Sequence, residues 1–383
     1  MKKLIKVLVV IIGIVAIFRL LSGINKTKLD ISEYDKILTS NEENYVRLAR
    51  LLREDDTYAI IGHFEGEDSY TSLVLTDNPE SVDFSSTDNM EILVGDHVEY
   101  EYMAFDGERV AYIEYTLGGS DLCIWHLYDI SSHTDVIVDT APGDVIDDKQ
   151  NPRVFFYNNN LIYEKIDKTN MKTDICSYNI DSKTIRVLYT FSSDEDYISY
   201  GMNVVDHYLV ASVNDDGLSL LKYDLESDEE DVYKVEDHID TIYSVAYAED
   251  RSEILYYGKN NKHEEVSALD SDGNVRRIYR LAYSDMVNNE DIVYSDGKVY
   301  LKLVEWKDPI SAWNYTLTCV DLDSKKEILM NRVGDMTLTD EGMYLLYYPE
   351  NTRQTIDVYY ACKEDVFGKY DFHIEKIYLL VKK

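Results

Sequence analysis

Histidines, cysteines and carboxylates are the side chains here with chemistry to offer, and their spacing limits what that chemistry is. Among the eight histidines there is no H-E-x-x-H or other close pair at metal-ligand spacing, and His263-Glu264-Glu265 lacks a second histidine. No G-x-S-x-G elbow occurs, and Gly118-Gly119-Ser120-Asp121 reads as a loop between strands. No glycine-rich phosphate loop is present. Asp270-Ser271-Asp272-Gly273 opens like a calcium loop, but the bidentate glutamate such a loop carries at its twelfth position is missing, and the segment falls on a repeated turn. The four cysteines, Cys123, Cys176, Cys319 and Cys362, form no C-x-x-C pair. Each falls in a separate predicted strand, so buried free thiols are expected rather than a disulfide framework. No catalytic residue, metal or cofactor is assigned from these motifs.

Binding offers more. The segment Glu305-Trp306-Lys307-Asp308-Pro309-Ile310-Ser311-Ala312-Trp313 holds two of the three tryptophans in the chain. Trp306 and Trp313 on an exposed loop would make a sugar platform or a protein hot spot, with Asp308 between them. Their plainer use is packing against a neighbouring loop. Acids collect in other predicted connections: Asp144, Asp147 and Asp148; Asp194, Glu195 and Asp196; Glu236, Asp237 and Asp240; Glu290 and Asp291. The partner-binding set is therefore Trp306, Asp308, Trp313, Asp147, Asp148, Asp194 and Asp196. Scattered solvation is the plainer reading of the acids.

The elements that must position these residues repeat. A short polar turn followed by an apolar, tyrosine-rich strand recurs with anchors at Ile60, Val110, Leu161, Leu209, Ile254, Val299 and Tyr344, spaced by 50, 51, 48, 45, 45 and 45. Periods in this range belong to propellers and solenoids, with four strands to a propeller blade. A second ladder runs in phase: Ile130-Ser131-Ser132, Ile180-Asp181-Ser182, Leu225-Glu226-Ser227, Leu269-Asp270-Ser271 and Leu322-Asp323-Ser324. A serine at one place in each unit is expected to be a turn residue whose hydroxyl bonds nearby backbone, joining the third and fourth strands. The fold class is all-β, a seven-bladed β-propeller, with six or eight blades as alternatives. Loops between second and third strands vary in length, with the longest counted in blade 6, and insertions gathered on one face of a repeat array mark its binding face.

Tyr223-Asp224-Leu225-Glu226-Ser227 and Leu269-Asp270-Ser271-Asp272-Gly273, each after a tyrosine-rich strand, resemble the bacterial TolB-like propellers. They are also similar to extracellular propeller domains distantly related to those of low-density-lipoprotein receptors. The resemblance covers about residues 100 to 383 and implies a propeller engaged in protein contacts, with no catalytic residue to carry over.

Compartment follows from the N-terminus. Lys2, Lys3 and Lys6 precede an apolar stretch that reaches from Leu4 to Leu21, long enough at about 1.5 Å per residue to cross a bilayer core. An uncleaved signal anchor is expected over residues 1–23, with a cleavable signal peptide as the alternative, then a stalk over 24–43 and the propeller over 44–383. Ser40-Asn41-Glu42-Glu43 resembles a capping box, and Tyr45, Leu48, Leu51 and Leu52 follow at helical spacing, so a membrane-proximal helix is expected there; repeat register would instead make this stretch the first strand of blade 1. Net charge is −35, which repels nucleic acid phosphates and anionic headgroups and favours a basic partner if any is selected by charge. The expected function is a membrane-anchored propeller outside the cytoplasm, a non-catalytic scaffold that binds a protein or cell-envelope component and no nucleic acid. The alternative is an exported propeller enzyme acting on a glycan or peptide, with Asp147 and Asp194 as acid and base.

Overall fold

The computed structural model describes residues 26–41, 47–64, 70–83, 90–93, 98–116, 122–142, 153–167, 170, 172–192, 201–214, 217–235, 238–260, 263–281, 287–306, 313–339, 342–349, 355–362 and 366–367. Its strands fall into seven sheets. Blade 1 comprises Arg47–Glu54, Thr57–Phe64, Tyr70–Thr76 and Glu91–Leu93. Blade 2 comprises Val98–Phe105, Arg109–Thr116, Leu122–Asp129 and Thr134–Pro142. Blade 3 has Val154–Tyr157, Asn160–Asp167, Lys172–Asn179 and Thr184–Ser192. Blade 4 has Met202–Val205, Tyr208–Asn214, Leu218–Asp224 and Glu230–Lys234. Blade 5 has Thr241–Ala248, Glu253–Asn260, His263–Leu269 and Val275–Arg280. Blade 6 has Val287–Ser295, Lys298–Trp306, Trp313–Asp321 and Glu327–Asn331. Blade 7 has Val333–Leu338, Gly342–Tyr347 and Thr355–Cys362 from the end of the chain, and Asp35–Asn41 from its beginning.

In each blade the strands run a to d from the centre outward, and successive blades are in contact all the way round, blade 7 against blade 1 included. The core is accordingly divided. Seven apolar clusters fill the seven gaps between facing blades. Alternation explains the division, because successive side chains of a strand point to opposite faces. In strand b of blade 2, Val110 and Tyr112 pack towards blade 1, whereas Ala111, Ile113 and Tyr115 pack towards blade 3. Each fully buried aliphatic side chain contributes roughly 1.5–3 kcal/mol.

All seven repeat anchors lie in second strands, as the spacing predicts. Two are out of step within them. Leu161 is the second residue of its strand and pairs with Phe156, and the equivalent pairs elsewhere are Arg53 with Tyr58 and Leu338 with Met343. Ile60 therefore sits two positions late and Tyr344 one position late. One step reverses the face. Met343 is fully buried, while the half-buried Tyr344 meets Tyr58 of blade 1, hydroxyl to hydroxyl at 2.8 Å.

The N-terminal expectations are corrected in two places. Residues 26–41, expected as stalk, belong to the ring. Asp35–Asn41 pairs antiparallel with Thr355–Cys362 as the outer strand of blade 7, and Lys26–Leu29 adds a fifth strand parallel to Glu327–Asn331 in blade 6. Of the stretch expected to be helical, the part from Arg47 onward is instead strand a of blade 1, Arg47–Glu54, and Tyr45 lies outside the described residues. A register shift between Leu48 and Arg50 supplies the reason, since one extra residue in a strand puts positions three apart on the same face, a spacing that mimics a helix. The anchor expected at residues 1–23 lies outside the described residues, and among the described residues no helix is long and apolar enough to cross a membrane.

Turns between strands a and b and between c and d share one face of the ring, here called the lower face. Connections from b to c and from d to a share the upper face. Lys26 pairs with Glu327, the first residue after a c-to-d turn, so the chain joins the ring at the lower face, on the rim of blade 6.

Candidate functional site

Trp306 and Trp313 are direct cross-strand partners at the upper end of the b–c hairpin of blade 6. Their hairpin pairs over nine rungs, from Lys298 with Asp321 to Trp306 with Trp313, where the corresponding ladders of blades 2 and 3 stop after eight. At about 3.3 Å per residue, the tryptophan rung stands one residue further up. The two residues end strands instead of lying within a loop, a difference that arises because β-branched and aromatic residues carry the pairing to Trp306. Asp308 falls in 307–312, outside the described residues, as do Asp147, Asp148, Asp194 and Asp196. The segments holding those four aspartates join outer strands to the next inner strands, between Pro142 and Val154 and between Ser192 and Met202, and so connect strand ends on the upper face.

The lower face carries an acidic mouth that motif reading missed. Arg53, Glu54, Asp55, Asp56, Ser295 and Asp296 surround an open cavity of about 730 Å³ where the a–b turns of blades 1, 6 and 7 meet. Glu54 is held above the ordinary carboxylate range, first by partial burial and then by the charges of Asp55 and Asp106. Turn chemistry accounts for several of these acids. Asp55, Asn158, Asp206 and Asp296 take positive φ of 47°, 49°, 51° and 51°, a conformation that Asp and Asn tolerate better than most residues. Above the mouth, inner-strand residues Leu51, Leu52, Met103, Phe105, Phe155 and Met336 line a smaller cavity of about 260 Å³. An acidic rim over an apolar throat suits a cationic or amphipathic group better than an anion.

Inside the blades, the titratable groups are occupied. His126 in blade 2 has Nδ1 2.6 Å from Asp135 Oδ2 and Nε2 3.0 Å from Glu114 Oε2, and its ring stacks on Tyr112 at 4.6 Å. With both nitrogens facing carboxylates, no lone pair is left for a metal or a substrate proton. His263 Nε2 meets Glu265 Oε2 at 2.7 Å. The buried Glu264 accepts from Tyr257 and is pushed up by burial. All four cysteines are free and lie in third strands, with Cys123, Cys176 and Cys319 buried, as expected. Burial drives the Cys176 thiol up to about 12, and those of Cys123 and Cys319 upward as well, which leaves them poor nucleophiles. Among the described residues no group of three His, Cys, Asp or Glu side chains is placed to hold a metal ion.

No protein-family model matches the chain, and no curated protein does. Solved structures do. The β-propeller domain of the Trilobed protease from Pyrococcus furiosus is 15% identical, with a TM-score of 0.53, covering 84% of this chain and 98% of that one. YCF48 bound to a D1 peptide is 12% identical, with a TM-score of 0.52, covering 86% and 97%. A prolyl endopeptidase matches at 10% identity and a TM-score of 0.54; the match covers 84% of this chain but only 51% of that one. The likeness is one of fold. It establishes a β-propeller, and the neighbours include both peptidase-associated and non-enzymatic rings.

Proposed function

We propose that this protein is a membrane-tethered scaffold outside the cytoplasm, whose propeller binds a protein or cell-envelope component through its upper face without catalysing a reaction. The TolB-like and receptor-like resemblance agrees with that role. The observation that carries the reading is the nine-rung hairpin of blade 6, which ends on paired tryptophans. Trp is the residue type most often found to dominate interface energetics, at about 2 kcal/mol or more per anchor when buried against a partner. Asp147, Asp148, Asp194 and Asp196, in connections on the same face of the ring, and Asp308 next to the rung would add negative charge to that face and steer a basic partner. Topology supports the tether: the chain joins the ring at the lower face, so an anchor in residues 1–23 would leave the upper face pointing away from the bilayer.

Replacing Trp306 and Trp313 together by alanine tests the reading. Partners captured by the full chain from envelope extracts should be lost, salt should weaken what the intact protein captures, and thermal stability should stay nearly unchanged. A double variant that melts several degrees lower yet keeps its partners would show that the tryptophans pack within the ring.

A further inference from the structure

Between blades 3 and 4, at the lower end of their strands, lies a cavity of about 470 Å³, separate from the acidic mouth and from the tryptophan rung. That volume falls within the range of small-molecule sites, roughly 300–1,000 Å³. Its wall is the face of blade 3 turned towards blade 4, and strand register arranges that wall in two rows. Tyr157, Asn160, Asn179 and Thr184 pair in succession across the four strands, and Ile162, Ser177 and Arg186 form the next row. Leu225 of blade 4 faces them.

The cavity exists because side chains are short where other blades carry long ones. Asn160 opens strand b of blade 3, as Arg109, Tyr208 and Glu253 open theirs in blades 2, 4 and 5. Arg109 crosses to Asn159 Oδ1 of blade 3 at 3.2 Å. Tyr208 packs on Tyr247 of blade 5 with ring centres 5.0 Å apart, and Glu253 is paired with Arg276. Ser177, opposite Ile162, corresponds in blade 4 to Lys222, opposite Val210. The Lys222 Nζ lies 4.1 Å from the Tyr208 ring centre and helps to fill that wedge.

What the wall offers in place of bulk is uncharged. Among the described residues no carboxylate lines the cavity. Arg186 is taken up by both oxygens of Asp228, on the c–d turn of blade 4, at 2.6 and 2.9 Å. Asn179 Nδ2 donates to Asn160 Oδ1 at 3.1 Å, and two primary amides so joined keep N–H groups to spare. The Ser177 hydroxyl, both donor and acceptor, makes no hydrogen bond among the described residues. Ile162, Leu188 and Leu225 place apolar surface beside these groups. Amides and a hydroxyl next to an apolar patch match the hydroxyls and the C–H face of a sugar ring, whereas an ion of either sign finds no free counter-charge.

We infer that the cleft between blades 3 and 4 binds a single uncharged pyranose residue, held by Asn160, Ser177 and Asn179 against Ile162 and Leu188. The inference stands apart from the upper-face reading, since the tryptophan rung lies at the opposite end of the strands.

Saturation-transfer NMR on the full chain, in a detergent without a sugar headgroup, tests it. The probes are the methyl pyranosides of glucose, galactose, mannose, fucose, N-acetylglucosamine and N-acetylgalactosamine. At least one should receive saturation from the protein. Ser177→Lys and Asn160→Tyr, which copy Lys222 and Tyr208 of blade 4, should each abolish that signal, and Trp306→Ala with Trp313→Ala should keep it. Should a filling variant fail to fold, Ser177→Val, close in size, should weaken binding about fivefold through one lost hydrogen bond, and unchanged affinity overturns the site. Saturation that survives both filling variants belongs elsewhere and overturns the assignment. Absence of saturation with all six sugars does the same, as does stronger transfer to glucuronate than to any neutral sugar, because Arg186 would then be open to an anion.

Discussion

Glu114 and Asp135, on either side of the His126 ring, favour its charged form. Burial alone favours the neutral ring, but hydrogen bonds and charge from Asp135 and then Glu114 outweigh it and raise the pKa above the ordinary 6.5. A group raised in this way stabilises the fold fully below its unfolded pKa and loses that contribution as pH rises through the folded value. His126→Gln should therefore lower Tm most below pH 6.5 and progressively less above it. Melting curves of both proteins from about pH 5 to 9 check this, and a pH-independent difference would mean that the ring only packs. His126 carries no motif, because Glu114 and Asp135 reach it from neighbouring strands at 12 and 9 residues' separation. The cysteines were legible one by one, since a thiol between apolar neighbours in a strand has nowhere to go but the core.

At the scale of elements, the repeated c–d turn is the clearest case of a pattern read correctly in place and incompletely in mechanism. Serine hydroxyls were expected to bond backbone. In the structure Ser132, Ser182 and Ser324 donate instead, at 2.8–2.9 Å, to the side chain three residues earlier, Asp129, Asn179 or Asp321, which also takes their backbone N–H. The common element is thus the Asp or Asn that ends strand c. Blade 5 shows it most plainly: Asp270 is equivalent to Asp224, so Ser271 falls two positions before the repeated serine, and Asp270 accepts from the Asp272 and Asn274 N–H groups. Those bonds are the ones that the calcium-like sequence makes within its own turn. Asp321→Ala should cost about 1–2 kcal/mol, because three hydrogen bonds lose their acceptor, and Asp321→Asn should be close to neutral. Ser271→Ala should likewise change little where Asp270→Ala does not. Urea midpoints of the four variants decide, and a large Ser271 effect would restore the serine as the organising residue.

For the whole molecule, closure depends on the segment that had been read as stalk. Leu29 and Ile31, 6% and 1% exposed, enter the cluster between blades 6 and 7 alongside Tyr300, Leu317, Met330 and Leu345. The segment works as a clasp: Lys26–Leu29 grips blade 6, and Asp35–Asn41 completes blade 7. Ile31→Ala should cost about 2–5 kcal/mol, the usual range for emptying a buried aliphatic site. The loss should open the ring at blade 7 first, so amide exchange in Thr355–Cys362 should quicken more than in the central strands of blades 3 and 4. Uniform acceleration across all blades would show that the ring melts as one unit and that the segment is no clasp.

What the sequence alone determined is whatever repeats within about 50 residues. Strand alternation, turn residues and their period specify blades, because each blade is assembled from neighbouring strands and advertises itself locally. Blade number followed from counting. What only the tertiary structure decided is everything that joins distant residues. Asp35 pairs with Tyr360, and Lys26 with Glu327, across most of the chain, and no local pattern marks a strand whose partner is some 300 residues away. The bulge between Leu48 and Arg50 made a strand look helical for a different reason: its register is set by pairing with Thr57–Phe64 beside it and not by its own spacing. The acidic mouth is likewise invisible in one dimension. Its charges come from turns of different blades, ordinary in each and significant only once the ring sets them side by side.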